Sequence, residues 1–209
     1  MRVIAIDGPA GSGKSTVARA VADRLDLPYL DTGAMYRAVA YAVLRNGGDP
    51  EDQEFVANLA RGIEIDVSAS GVFVDGVDAS LEIRSPAVNR AVSVVAAIKE
   101  VRAELVSRQR EWAKRRDGGV LEGRDIGTVV FPDAELKIYL TADPEERARR
   151  RAKEVTDLDY DAVAADIARR DAYDTTRASD PLTEADDAIN VDTTGLTIDQ
   201  VVDRVVDLL

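Results

Sequence analysis

The string Gly8-Pro9-Ala10-Gly11-Ser12-Gly13-Lys14-Ser15 constrains this chain more than any other feature, because it satisfies every position of G-x-x-x-x-G-K-[ST]. Its flanks have the required character. Val3 to Ile6 is a short apolar run ending in Asp7-Gly8, the pattern of a buried parallel strand, and Val17, Val21 and Leu25 recur at helical spacing from Ser15 onward. Glycines let backbone N–H groups turn inward around phosphate oxygens, and a helix starting near Lys14 points the positive end of its dipole at the same anion. Gly8, Pro9, Ala10, Gly11, Ser12, Gly13, Lys14, Ser15 and Thr16 are therefore the candidate ATP-binding residues. Lys14 is expected to reach the β- and γ-phosphates and the Ser15 hydroxyl to ligate Mg²⁺.

The rest of the chain alternates strands with helices. Tyr29-Leu30-Asp31 reads as a second strand. Gly33 to Arg45 reads as a helix, with Met35, Val39 and Val43 on one face and Gly47 past its end. Asp49-Pro50 predicts another helix start, with Asp49 as N-cap. From Ile63 to Arg84 the pattern changes: Ile63, Ile65, Val67, Val72 and Val74 alternate with polar residues around an Asp75-Gly76 turn signal, which predicts a small antiparallel meander. Ser85-Pro86 opens a long helical stretch, with room for an interruption, to about Arg116. Val120 to Glu122 and Leu136 to Leu140 are strands. Asp143-Pro144-Glu145-Glu146 predicts a capped helix start with a capping box. Ala188 to Val191 is the last strand, and Thr197 with Gln200 boxes a final helix striped by Val201, Val202, Val205 and Val206. About five strands alternating with helices imply an α/β fold with a central parallel sheet covered by helices.

Composition narrows the chemistry. The 209 residues carry a formal net charge of −12, which disfavours general binding to nucleic acid polymers or anionic lipid. There is no Cys and no His, so thiol nucleophiles, Cys- or His-ligated zinc and the usual general base are absent. The first residues are too short an apolar run for a signal peptide, and no apolar stretch is long enough to span a membrane, so a cytoplasmic enzyme is expected.

Several charged positions stand out. A strand-end acid should complete the metal site, with Glu122 the first choice and Asp31 the second; either could instead be a loop carboxylate or a helix cap. Arg147, Arg149, Arg150 and Arg151 follow Glu145 and Glu146 along one helix. That order suits the helix dipole, yet several guanidiniums within two turns repel one another unless an anion such as a transferring phosphoryl group neutralises them. Arg170, Asp174 and Arg177 fall on one helical face by spacing, where an ordinary salt-bridged face is the plainer alternative. Arg37 and Arg102, taken alone, read as surface arginines. Gly123-Arg124-Asp125 follows the Val120–Glu122 strand at the carboxyl edge where α/β sheets bind ligands. An Arg beside an Asp there can donate to and accept from a cytosine edge.

These residues together resemble the bacterial cytidylate kinases, a branch of the nucleoside monophosphate kinases. The resemblance covers essentially the whole chain. It is carried by Ile6-Asp7-Gly8-Pro9 leading into the phosphate loop, Asp31-Thr32-Gly33-Ala34-Met35-Tyr36-Arg37, Gly123-Arg124-Asp125-Ile126-Gly127-Thr128-Val129-Val130-Phe131-Pro132, and Arg170-Asp171 through Arg177. It implies one P-loop kinase chain over 1–209, with a nucleoside-monophosphate-binding region at 33–116 that includes a β insertion at 63–84, and a mobile lid at 147–159. It further implies that Thr32, Tyr36, Arg37, Ser93, Arg102, Arg124, Asp125, Arg170, Asp174 and Arg177 line a cytidylate site. In that scheme Arg37 holds the acceptor phosphate, Ser93, Arg124 and Asp125 read the base, and Arg170, Asp174 and Arg177 serve the sugar and phosphates. Many family members have serine where this chain has Thr32; the hydroxyl is kept and a methyl is added.

The implied reaction is phosphorylation of CMP or dCMP by ATP with Mg²⁺, catalysed by Lys14, Arg124, Arg147, Arg150 and Arg151, with Ser15 and Glu122 holding the metal. The acceptor is a phosphate oxygen, already anionic, which suits a chain without histidine. Small-molecule substrates and a monomer are expected, with neither nucleic acid polymer nor membrane as partner. Other small-molecule P-loop kinases, acting on shikimate, gluconate or dephospho-coenzyme A, share the loop and a lid but do not need Gly123-Arg124-Asp125 or the β insertion. A non-catalytic nucleotide-binding module would keep the fold and lose turnover. A GTPase is disfavoured because the guanine-reading Asn-Lys-x-Asp string does not occur, and Asp192-Thr193-Thr194-Gly195 sits too late in the chain to serve as a switch.

Overall fold

A computed structural model of the chain describes residues 1–154 and 159–209. The elements run β1 (Arg2–Asp7), α1 (Lys14–Leu25), β2 (Tyr29–Asp31), α2 (Thr32–Arg45), α3 (Gln53–Gly62), β3 (Ile65–Ser68), β4 (Gly71–Val74), β5 (Val77–Asp78), α4 (Pro86–Ala97), α5 (Lys99–Arg115), β6 (Gly118–Gly123), β7 (Leu136–Thr141), α6 (Pro144–Glu154), α7 (Tyr160–Thr176), β8 (Ile189–Asp192) and α8 (Ile198–Val206). A 3₁₀ turn lies at Glu82–Arg84 and a π-helical turn at Ile126–Val130. Residues 155–158, part of the expected lid, lie outside the described residues. Among the described residues no helix is long and apolar enough to cross a membrane.

The chain divides into two units, Met1–Tyr29 with Ala113–Leu209, and Leu30–Trp112, and it passes from one to the other within β2. The sheet has the strand order β2-β6-β1-β7-β8. β1 lies parallel to both β6 and β7, and β7 parallel to β8, so the carboxyl ends of these strands share one edge. This is the α/β architecture expected from the alternation. β1 is central and buried along its length because Val3, Ile4, Ala5 and Ile6 are apolar on both faces. On one face Ile4, Ile6, Val120, Ile138 and Leu140 pack against Val17 and Val21 of α1 and Val201, Val202 and Val205 of α8. Each such side chain contributes roughly 1.5–3 kcal/mol by leaving water. The start of α8 is fixed by a closed capping box, in which Thr197 Oγ1 accepts from the Gln200 N–H and Gln200 Oε1 accepts from the Thr197 N–H.

In the second unit, α2 carries Met35, Val39 and Val43 on its buried side, as its spacing predicts. The meander is antiparallel: Ile65 lies opposite Val74, Val67 opposite Val72, and Val74 opposite Val77. Asp75 and Gly76, at φ of 50° and 75°, make the two-residue hairpin turn that needs left-handed backbone at both positions. Ser85 caps α4 through the Val88 N–H with Pro86 in its first turn. The long helix after it is broken at Ile98, whose backbone is extended, so α4 and α5 are separate helices.

Two expected caps fall elsewhere. Asp52, not Asp49, caps α3 through the Phe55 N–H, while Asp49 closes a tight turn onto the Glu51 N–H. At α6 the expected box between Asp143 and Glu146 does not close. The Asp143 N–H donates to Thr194 Oγ1 instead, and Glu146 spends its carboxylate on Arg149 and Arg150.

Candidate active site

The phosphate loop leaves β1 at Asp7 and turns at Gly8, whose φ is 149°. A Cβ at Gly8 would lie 2.1 Å from the Leu140 carbonyl oxygen on β7, so only glycine fits. The loop ends at Gly13, which precedes α1 and has no side chain to cap it. The first N–H groups of α1 and its dipole are thereby left facing the loop, the arrangement that binds phosphate. Lys14, 5% exposed, folds back across the loop, with Nζ donating to the Pro9 carbonyl at 2.7 Å. Burial first, then the Arg124 cation, lowers its pKa to about 7, against the pull of Glu122 and Asp7. A lysine held there gains proton affinity when an anion arrives. Ser15 and Thr16 are exposed at the start of α1.

Two of the α6 arginines tie down the outer side of this loop. Arg147 donates to the Ala10 carbonyl at 3.0 Å and the Ala142 carbonyl at 3.2 Å, and pairs with Asp171 of α7. Asp171 in turn accepts the Ala10 N–H at 3.0 Å. Arg150 donates to Thr193 Oγ1 and the Thr193 carbonyl, both at 2.8 Å, and reaches the Ser12 carbonyl at 3.4 Å. Arg149 is well exposed and shares Glu146 with Arg150. Part of the neutralisation expected from a ligand therefore comes from Asp171 and Glu146. Arg151 is half-buried on the same helix. Asp171 and Thr193 occur in strings quoted from the sequence, Arg170-Asp171 through Arg177 and Asp192-Thr193-Thr194-Gly195, but neither was given a place in the site.

Glu122, the penultimate residue of β6, is 4% exposed, and its Oε1 accepts from the Tyr29 hydroxyl at 3.0 Å. Asp31, the second choice for a metal acid, is the N-cap of α2 and accepts the Ala34 N–H at 2.9 Å. Among the described residues no three acidic side chains converge as around an ion held wholly by protein. A hydroxyl and one carboxylate are hard oxygen donors, and few protein ligands completed by phosphate and water suit Mg²⁺. Ser15 and Glu122 fit that donor set.

Beyond Glu122, Arg124 donates Nε–H to Asp174 Oδ2 at 2.8 Å. Arg177 lies 3.9 Å from Asp125 and donates to the Asp180 carbonyl. Burial pushes the Asp174 carboxyl up, but the Arg124, Arg177 and Arg170 guanidiniums outweigh it and hold it below the usual range. Burial and Arg124 lower Arg170 to about 10, and its buried Nε has no hydrogen-bond partner among the described residues. Three guanidiniums thus gather at the carboxyl edge of the sheet, where charge-assisted hydrogen bonds to an anion are available. Spacing placed Arg170, Asp174 and Arg177 on one helical face. In the fold, α7 ends at Thr176 and Arg177 sits just past it with extended backbone, yet Asp174, Arg124, Arg177 and Asp125 still come together.

In the second unit Thr32 opens α2 and is buried, and Tyr36 follows one turn later. The Arg102 guanidinium lies 5.5 Å from the centroid of the Tyr36 ring and donates to the Ala96 carbonyl. Arg102 is only 2% exposed, so it is not the surface arginine its isolation in the sequence suggests. Arg37 donates to Asn89 Oδ1 and to the Ile83 carbonyl. Ser93 lies on the buried side of α4.

The family model described as cytidylate kinase matches residues 4–209. A cytidylate kinase of Desulfitobacterium hafniense is 52% identical over 212 residues, covering 98% of this chain and 91% of that protein. A bifunctional pantoate ligase/cytidylate kinase of Synechocystis sp. is 52% identical over 99% of this chain, which spans only 42% of that longer protein. A crystal structure of a Thermus thermophilus protein matches with a TM-score of 0.52 at 20% identity, covering 100% of this chain and 97% of that one, a likeness of fold alone.

Proposed function

The chain belongs to the cytidylate kinase family, and from that premise we propose that it transfers the γ-phosphoryl group of ATP to CMP or dCMP, releasing ADP and CDP or dCDP. The single observation that carries the reading is the glycine-bent loop at the end of β1, closed by a buried Lys14 whose proton affinity is depressed until phosphate arrives. It stands at the same sheet edge as the cluster of Arg124, Arg170 and Arg177.

The transfer needs positioning and charge neutralisation rather than a base, because the attacking oxygen of the acceptor phosphate is already anionic. The Gly8–Thr16 backbone and the α1 terminus hold the triphosphate. Lys14 leaves the Pro9 carbonyl to meet the β- and γ-phosphates. Arg147 and Arg150 keep the loop backbone in shape through Ala10 and Ser12, and with Arg151 flank the transferring group. Arg124 and Asp125 meet the cytosine edge, and Arg170, Asp174 and Arg177 the sugar and phosphates. In the Leu30–Trp112 unit, Thr32, Tyr36, Arg37, Ser93 and Arg102 belong to acceptor binding, with Arg37 on its phosphate. Ser15 and Glu122 would hold Mg²⁺, which would supply charge neutralisation for the phosphates when bound. Segment 147–159 serves as the lid that excludes water. The enzyme works as a cytoplasmic monomer.

Kinases for shikimate, gluconate or dephospho-coenzyme A are not favoured, since the family match runs over nearly the whole chain. The test is ADP release with CMP, dCMP, UMP, AMP and shikimate as acceptors. Turnover with CMP and dCMP far above the other three is expected; equal or greater turnover with shikimate or AMP would overturn the reading.

A further inference from the structure

The mechanism above leaves one buried carboxylate without a role. Asp7 ends β1, one residue before the loop, and is almost wholly enclosed. Neither of its oxygens turns to the loop. Oδ1 accepts the Ile126 N–H at 2.9 Å and Oδ2 accepts the Gly127 N–H at 2.8 Å. These are the first two amides of the π-helical turn Ile126–Val130, which comes directly after Arg124 and Asp125. Inside the turn the Asp125 carbonyl accepts from Val129 and Val130, and the Ile126 carbonyl from Phe131. The leading N–H groups have no partner within the turn and need one from outside, because a buried amide left without a partner costs about 1–3 kcal/mol.

An Asp at the N-cap position ordinarily supplies that partner itself. Here Asp125 occupies the position and makes no side-chain cap. Its carboxylate turns instead toward Arg177. Burial pushes the Asp7 carboxyl up to about 6, with the two amide bonds pulling it back. It is therefore ionised at neutral pH and accepts with both oxygens.

We infer that Asp7 is a positioning residue for the acceptor: it caps the π-helical turn from the neighbouring strand, so that Asp125 is not spent on the cap and stays aimed, with Arg124, at the nucleotide base. The inference rests on the proposed role of Arg124 and Asp125. A π turn is rare and is found mainly at functional sites, and a cap supplied from 119 positions away is what allows this one to begin with a working Asp. The Asp7 side chain hydrogen-bonds only those two amides, so substitution acts on the turn by geometry, while its charge also bears on Lys14 of the loop.

Asp7→Asn tests this. The carboxamide keeps the size but offers one acceptor and one NH₂, which opposes an N–H. Asp125 is then drawn to cap its own turn. KM for CMP is expected to rise about tenfold and by more than KM for ATP, which feels the lost charge through Lys14, with faster exchange of the Ile126 and Gly127 amides. Equal increases in both KM values, or unchanged exchange at the two amides, would overturn the inference. If the variant does not fold, the unsubstituted protein answers the question. CMP added alone should slow exchange at Ile126 and Gly127 more than ATP added alone does, and no difference would overturn the inference. Wild-type enzyme that fails to phosphorylate CMP would instead refute the functional reading on which this depends.

Discussion

Lys14 gives the sharpest test of how the loop holds its ligand. In the ligand-free protein burial and the Arg124 cation lower its pKa to about 7, from an ordinary value of 10.5. A bound triphosphate adds several negative charges beside the ammonium and returns the pKa toward or above its ordinary value. The sign follows: between about pH 7 and 10.5 the free protein lacks a proton that the complex holds, so binding takes one up. Uptake per ATP should therefore be a small fraction of a proton on the acid side of the free pKa, near 7, and approach one proton on the alkaline side. Above pH 7 the affinity should fall about tenfold per pH unit. Calorimetric titration of MgATP in buffers of different ionisation enthalpy measures the uptake directly, and MgATP itself does not titrate between pH 7 and 8. Lys14→Met should bind weakly and take up no proton. Uptake that stays flat between pH 6 and 8, or that survives in Lys14→Met, would refute the claim that Lys14 waits half-neutral for phosphate.

Three further outcomes follow from the same structure. Asp174→Ala removes the partner of a largely buried Arg124 and leaves Arg124, Arg170 and Arg177 facing one another; it should destabilise the protein by about 3 kcal/mol in urea unfolding, and a change below about 0.5 kcal/mol would contradict the buried pair. Asp125→Ala should raise KM for CMP about tenfold more than KM for ATP, and equal effects would remove Asp125 from base recognition. Thr197→Ala opens the capping box of α8 and should cost about 1 kcal/mol in thermal unfolding with turnover unchanged, whereas an unaltered melting point would mean that the box is not what fixes this helix.

Much of this was legible in the sequence where the determinants are local. The phosphate loop needs glycine at fixed positions between an apolar strand and an amphipathic helix, and eight consecutive residues specify it. The Thr197–Gln200 box was readable because its two partners lie three residues apart and nothing competes for them. The Asp143–Glu146 box had the same spelling and did not close, because Thr194 takes the Asp143 N–H from across the sheet edge and two arginines take Glu146. The N-cap of α3 was misplaced by three residues since two aspartates flank Pro50, and the helix starts only after the second. The meander was found from alternation and the Asp75-Gly76 turn.

What sequence could not show is how distant residues meet. Arg102 looks like any exposed arginine until the break at Ile98 and the ring of Tyr36 enclose it. The Glu122–Tyr29 hydrogen bond, the Ala10–Asp171–Arg147 bridge and the Asp7 cap join residues up to 161 positions apart, with no periodicity to announce them. The apparent excess of positive charge on α6 is an instance of the same problem. Arg147 is compensated by a carboxylate on α7, while Arg149 and Arg150 share Glu146 on their own helix.

The central claim is that a triphosphate held at the tip of β1 passes its end group to a second nucleotide. The most direct measurement incubates the protein with CMP and ATP labelled at the γ-phosphorus and follows where the label goes. Label appearing in CDP, in step with ADP, is the expected result; label accumulating as orthophosphate, at a rate indifferent to CMP, would contradict it.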